Sequence, residues 1–315
     1  MSSTIAQTKK RKKTREEIRE NIAGYMFLLP WLIGLIVFTA FPIGWSLWIS
    51  LTNRTMALGR NIEFIGFGNY RRLLDDPIFR QSLRVTVLYA VWQIPLSRGL
   101  ALLAALAMNR KMKGIGIFRT LFYLPVIIGG TVGANVMWRM LLRDRGYLNQ
   151  ILDFFNLGPI GFLTNPSVAL YSLIGVSLWG IGGPMIIFLA GLQQVPEELY
   201  ESATMDGAGS FRKLISVTLP MISPIILFSF IMGIIGALQV FEAGLVITGG
   251  GPARATNFLV LYLFRESFTY GRFGYASAIA WVLFLIIMAV TFCVLKFSEN
   301  HVFSQANAAG GKDRS

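Results

Sequence analysis

Six apolar runs, each long enough to cross a bilayer, constrain this chain more than any motif does. They fall at 24–50, 83–108, 118–142, 168–192, 219–248 and 275–297. A helix rises about 1.5 Å per residue and the hydrocarbon core is about 30 Å thick, so about 20 apolar residues span it. In lipid every backbone N–H and C=O must find a partner within the protein, which leaves only helices or closed barrels. The runs are continuous and lack the alternation of a barrel strand. The expected fold class is therefore an all-α membrane protein with six transmembrane helices. Composition agrees, with 14% charged residues against about 25% in a soluble domain.

The basic residues set an orientation. The formal charge of +13 flanks the apolar runs and forms no single basic face, so nucleic acid is not an expected partner. Retention of Lys and Arg on the inner side accounts for the pattern. The tract "KKRKKTREEIRE" precedes the first run, which is too long for a signal peptide and lacks a small-residue cleavage site. The second connection is short and carries Arg110, Lys111, Lys113 and Arg119. Both termini are thus expected inside, as a basic N-terminal segment at 1–23, a membrane domain at 24–297 and a tail at 298–315.

Several chemistries have little to work with. Cys293 and His301 are the single cysteine and the single histidine, so no disulfide framework, metal site or catalytic residue is expected. No Gly-x-x-x-x-Gly-Lys-Ser/Thr occurs, and "TGGGPARAT" lacks the Lys-Ser/Thr that would make it a phosphate loop, so it reads as a turn. Ion-coupled carriers hold carboxylates within their spans. Here Glu242 alone, of 16 acidic residues, falls inside one.

The polar stretch "ELYESATMDGAGSFRKLISVTLP" lies between the fourth and fifth runs, on the inner side by the same charge argument. Pro196 suits a helix start, and Glu197, Glu198 and Glu201 favour its positive end. Asp206-Gly207 stops the helix, and a second short helix at 211–218 leads to Leu219 and Pro220. On helix and charge pattern alone, an ordinary amphipathic connector resting on headgroups is favoured over a functional element.

The spacing adds a resemblance. Glu201-Ser202-Ala203, three residues, Gly207, nine residues and Val217-Thr218-Leu219-Pro220 are similar to the EAA signature of the permease subunits of binding-protein-dependent ABC importers. "IGFGNYRRLLDDPIF", "FRTLFYLPVIIGGTVGANVMWRML", "FLAGLQQVPEELYESA" and "ITGGGPARAT" resemble further segments of the sugar-importing branch, in the same order. The resemblance implies a cytoplasmic coupling helix at about 196–220 that docks on an ATPase through Glu201, Ser202, Ala203, Asp206, Gly207, Leu219 and Pro220. It also implies a second permease subunit, two ATPase subunits holding ATP and magnesium, an extracytoplasmic solute-binding protein, and a place in the bacterial inner membrane. The solute would be a sugar or oligosaccharide. Importers of another solute, such as glycerol phosphate, and ion-coupled carriers are the alternatives.

Arg98 lies near the middle of the second run, where a charge costs at least about 2.5 to 3.5 kcal/mol on insertion scales. Two readings stay open: an internal partner, either Glu242 or carbonyls freed by Pro95, or a cavity facing an anionic solute. Tyr89, Trp92, Trp179 and Phe241 are, with Arg98 and Glu242, the candidates by depth for a solute path, since sugar faces stack on rings.

Overall fold

The computed structural model describes residues 15–56, 62–110, 112–129 and 131–298. The basic tract at 9–13, Lys111, and His301 with the tail beyond 298 lie outside the described residues. Within them the chain is helical, and the only strand-like feature is an isolated bridge between Thr52 and Phe64. The first crossing runs through α1 (Arg15–Leu35), a π-helical turn (Ile36–Ala40) and α2 (Phe41–Ser50) without a sharp bend. A loop then leads through α3 (Gly68–Asp75) to α4 (Pro77–Met108).

The start of α4 is fixed by local chemistry. Asp76 caps it, its Oδ1 accepting from the amides of Ile78 (2.8 Å) and Phe79 (3.3 Å), and Pro77 occupies the first position, where a missing N–H costs nothing. After α4 come α5 (Ile115–Gly129) and α6 (Val132–Leu141), then α7 (Tyr147–Phe154) in a loop, then α8 (Pro166–Leu178) and α9 (Gly182–Leu192). Next are α10 (Glu197–Met205), α11 (Ser210–Lys213), a π turn (Leu214–Thr218), α12 (Leu219–Met221) and α13 (Ser223–Leu238). The chain closes with α14 (Leu259–Phe264) and α15 (Phe273–Ser298).

Three helices are each long and apolar enough to cross a membrane unbroken: Tyr25–Ser50, Pro77–Met108 and Phe273–Ser298. The other three apolar runs, expected as plain spans, are broken. The pair α5 and α6 bends by 101°, α8 and α9 by 47°, and Ser210–Met221 meets α13 at 68°. Each break has a sequence cause. Gly129 and the capping Thr131 flank the first, Gly180 and Pro184 the second, and Pro220 and Pro224 the third. The fifth run, expected to reach 248, ends its main helix at Leu238; Gln239–Phe241 are not helical before a π turn at Gly244–Thr248.

Helix α4 is the axis of the molecule and packs on α8, α9, α13 and α14. Toward its C-terminus Ala101 and Ala105, four residues apart and fully buried, let α9 approach closely. Two cores result. One gathers Phe79, Tyr89, Leu173, Ile247, Phe258 and Ile279 near the start of α4. The other gathers Ala105, Met108, Met185, Phe188, Leu192 and Ile222 near its end. By contrast, the most apolar window of the first crossing buries nothing, and Phe27 and Phe38 are 88% and 80% exposed. Apolar surface of that extent requires lipid or another subunit to cover it.

Candidate functional site: a coupling element and a polar path

The stretch 197–220 folds as a helix, a left-handed turn and a second helix. α10 ends in a Schellman turn: the amide of Ala208 donates to the carbonyl of Ala203 (2.9 Å) and that of Gly207 to Thr204 (2.9 Å). Gly207 sits at φ +74°, a conformation that costs an L-residue about 1–2 kcal/mol. Two side-chain bonds clamp the helices together. Lys213 Nζ donates to Thr204 Oγ1 at 2.7 Å, and the hydroxyls of Tyr200 and Thr218 share a bond at 3.0 Å. The π turn at Leu214–Thr218 adds a bond from Thr218 Oγ1 to the Lys213 carbonyl, and the segment then enters α13 through the 68° bend.

Glu201, Ser202, Asp206, Gly207 and Pro220 are exposed, while Ala203 and Leu219 are half-buried. Met205 and Phe211, 89% and 75% exposed, flank them, so the element presents apolar surface beside its carboxylates. Tyr200, Val217 and Leu219 pack on the core that holds Met108 and Val195. The element therefore sits at the C-terminal end of α4. Arg110, Lys113 and Arg119 lie at that same end and line a cavity of about 740 Å³ together with Glu197 and Tyr200.

At the other end of α4 polar groups are tied to one another. Tyr262 and Tyr275 both donate to Asp76 Oδ2. Burial alone pushes the Asp76 carboxyl up, but these hydroxyls and the amides of Ile78 and Phe79 outweigh it and hold the group below its ordinary 3.8. Arg72 stacks 4.5 Å above the Tyr275 ring. Asn69 Nδ2 donates to the carbonyls of Ser50 (2.8 Å) and Thr52 (2.9 Å), and the Tyr70 and Ser50 hydroxyls share a bond, which gives "GNY" its structural meaning. "TGGGPARAT" is a packed turn: Arg265 Nη2 donates to the Gly249 carbonyl and Nη1 to Asn257 Oδ1, while Asn257 Nδ2 donates to Ser82 Oγ.

The path candidates separate into groups. Tyr89 is 4% exposed and packs edge-on against Phe258 at 5.1 Å, so it belongs to the core. Trp92 is 49% exposed on the outside of α4. Phe241 is half-buried in a ladder with Phe264 and Phe268. Glu242 is exposed and is not paired with Arg98, so the ion pair considered from the sequence is not formed. Breaking the fifth helix at Gln239–Phe241 takes Glu242 off the helix that faces Arg98. Trp179 lies edge-on to Trp138 at 5.7 Å, and both line a cavity of about 340 Å³ where the two bent pairs meet.

Sequence reasoning missed three residues. Asn135, 8% exposed, and Trp138, whose indole Nε1 has no partner, line that cavity. Gly233 makes the space that holds Arg98. A lone amide within an apolar run was the available signal for Asn135. Nothing in the sequence distinguishes Gly233 from Gly236.

A bundle of long and broken apolar helices, with a clamped helix–turn–helix at one end, defines a membrane permease of the importer type. Residues 97–302 match the family described as "Binding-protein-dependent transport system inner membrane component", and the chain belongs to that family. It is 40% identical over 292 residues to the "Probable ABC transporter permease protein YesP" of Bacillus subtilis (91% of this chain, 94% of that protein). It is 33% identical over 279 residues to the "Trehalose/maltose transport system permease protein MalF" of Thermococcus litoralis (88% and 94%). Its fold is shared with a chain in the crystal structure of a bacterial alginate ABC transporter in complex with an alginate pentasaccharide-bound periplasmic protein. That match has a TM-score of 0.81 and 21% identity, and covers 92% of this chain and 98% of that chain.

Proposed function

We propose that this chain is one of two membrane subunits of an ATP-driven importer for a sugar or oligosaccharide. The observation that carries the reading is the segment 197–220, short helices tied together by two side-chain bonds at one end of the bundle. Its first helix is exposed for docking, and its second runs into α13 through a single bend. A motion imposed on α10 passes through the Tyr200–Thr218 and Lys213–Thr204 bonds to α13, which packs on α4, α9 and α15. Alternating access follows if that motion opens and closes the polar path between the broken crossings.

The element shares its end with Arg110, Lys113 and Arg119, and positively charged connections face the cytoplasm. Both termini then lie inside, and the end built from 62–76 and 249–275 faces an extracytoplasmic binding protein. The bare first crossing calls for lipid and a second permease subunit. ATP and magnesium belong to two ATPase subunits that receive α10. The relatives named for sugars support carbohydrate as the solute class.

Reconstituted with its partners, the complex should take up solute in a vanadate-sensitive way that is indifferent to collapse of ion gradients. A cysteine at Met205 should crosslink to the ATPase. Gradient-dependent, vanadate-insensitive uptake would contradict the reading.

A further inference from the structure

The cavity of about 740 Å³ lies where α4 and α9 end and where α5 and α10 begin, and its lining has two characters. Met112, Ile115, Leu192 and Val195 supply an apolar wall. Arg110, Lys113 and Arg119 set three cations against a single carboxylate, Glu197, among the described lining residues. Arg110 and Lys113 are exposed, whereas Arg119 is half-buried in the second turn of α5. Its Nη2 donates to the carbonyl of Met108, the last residue of α4, at 2.8 Å. A last-turn carbonyl has no partner within its own helix, so this bond both closes α4 and fixes where the guanidinium stands. The helix that carries Arg119 buries none of its residues, and Ile117, Phe118 and Leu121 are all exposed. Apolar surface thus begins within one turn of the cations.

Retention of positive charge on the inner side calls only for cations on a connection. It calls neither for a cavity nor for a guanidinium inside one helix that is anchored to the end of the helix before it. A phospholipid has the matching chemistry: phosphate oxygens that accept from Arg and Lys, joined to chains that need apolar surface close by. A soluble phosphate ester would engage the cations but leave Met112, Ile115 and the exposed residues of α5 without a role. We propose that this cavity binds the phosphate of an anionic phospholipid, with Arg119 as the fixed donor and Arg110 and Lys113 completing the site. The chains lie along α5. The excess of cations over Glu197 favours a headgroup of net negative charge over a zwitterionic one. Because Glu197 and Tyr200 belong to α10, a lipid held there also braces α10 against α4 and α5. The site is distinct from the solute path and requires only that the chain crosses a membrane.

The test uses the full complex, with both permease subunits, ATPases and binding protein, purified in detergent. Dioctanoyl phosphatidylglycerol and dioctanoyl phosphatidylcholine are titrated separately, and bound lipid is counted by native mass spectrometry. The wild type should hold phosphatidylglycerol at a saturable site about fivefold or more tighter than phosphatidylcholine, the effect of one cation beside an anionic headgroup. The double variant Arg110→Gln and Lys113→Gln changes two exposed side chains, so its melting temperature without lipid should stay near the wild-type value while the preference disappears. Arg119→Gln should abolish the preference as well. Arg80→Gln, at an exposed arginine near the start of α4, should leave it intact. Equal retention of the two lipids by the wild type, full preference in the double variant, or an equal loss in Arg80→Gln overturns the proposal. Displacement of the lipid by inorganic phosphate at equal concentration also overturns it, since the site would then take a free anion. So does a lipid-free complex in which Lys113→Cys crosslinks to the ATPase, the result expected if the cavity were a protein-docking surface.

Discussion

At the end formed by 62–76 and 249–275, Asn69, Asp76, Asn257 and Glu266 direct their side chains to partners within the chain. At the other end of α4, Glu201 and Asp206 stand in solvent beside an exposed Met205 and Phe211. Both ends are loops between apolar helices and both are rich in polar residues, yet one is a closed network and the other an open surface. The difference teaches where work can be done. A buried amide or carboxylate with all its bonds made holds a single geometry, because breaking any bond leaves an unsatisfied group. An exposed carboxylate on a short clamped helix can exchange water for a partner at little cost, and on the function proposed above the clamp carries the displacement inward.

Substitutions can break or sharpen that contrast. Gly207→Val should have the largest effect: at φ +74° a β-branched residue is strained, so the Schellman turn opens and the lever no longer transmits. Uptake should fall more than tenfold while ATP hydrolysis and membrane insertion persist. A variant with normal coupled uptake would end the lever account. Asn69→Ala should act in the opposite currency. It leaves the Ser50 and Thr52 carbonyls without their donor, costing about 2–3 kcal/mol, and should lower the melting temperature in detergent without abolishing ATPase attachment.

Glu201→Lys should reduce ATPase affinity several-fold and leave the melting temperature nearly unchanged, since the side chain is exposed. A large thermal shift would erase the distinction between the ends. The smallest effect belongs to Asp76→Asn. The carboxyl of Asp76 is held below its ordinary value, so its stabilising contribution is present above about pH 3.8 and is lost as pH falls through the lower folded value. The wild type should lose melting temperature across that acidic window, and the asparagine variant should lose less. Identical acid profiles would show that the closed network owes nothing to the charge.

Much of this was legible in the residues. Apolar length located the long helices, because a continuous apolar run is what a bilayer-length helix needs. The Pro196 start and the Gly207 stop located α10, because both act on backbone torsions within a few positions. The order of small motifs pointed to the importer family before any contact was known. The bends of the third, fourth and fifth runs were less legible: membrane helices often tolerate Pro and Gly, so Pro125 stays within α5 whereas Pro224 opens a new helix.

Sequence by itself determined that this chain is helical and apolar, and that it carries its polar element between the fourth and fifth runs, since each of these depends on residues close along the chain. Tertiary structure alone decided that Arg98 rests on Gly233 and not against Glu242, that Tyr89 is core, and that Asn135, Trp138 and Trp179 share one cavity. Those outcomes depend on how helices distant in sequence cross, and a bend at one proline or glycine moves every side chain beyond it.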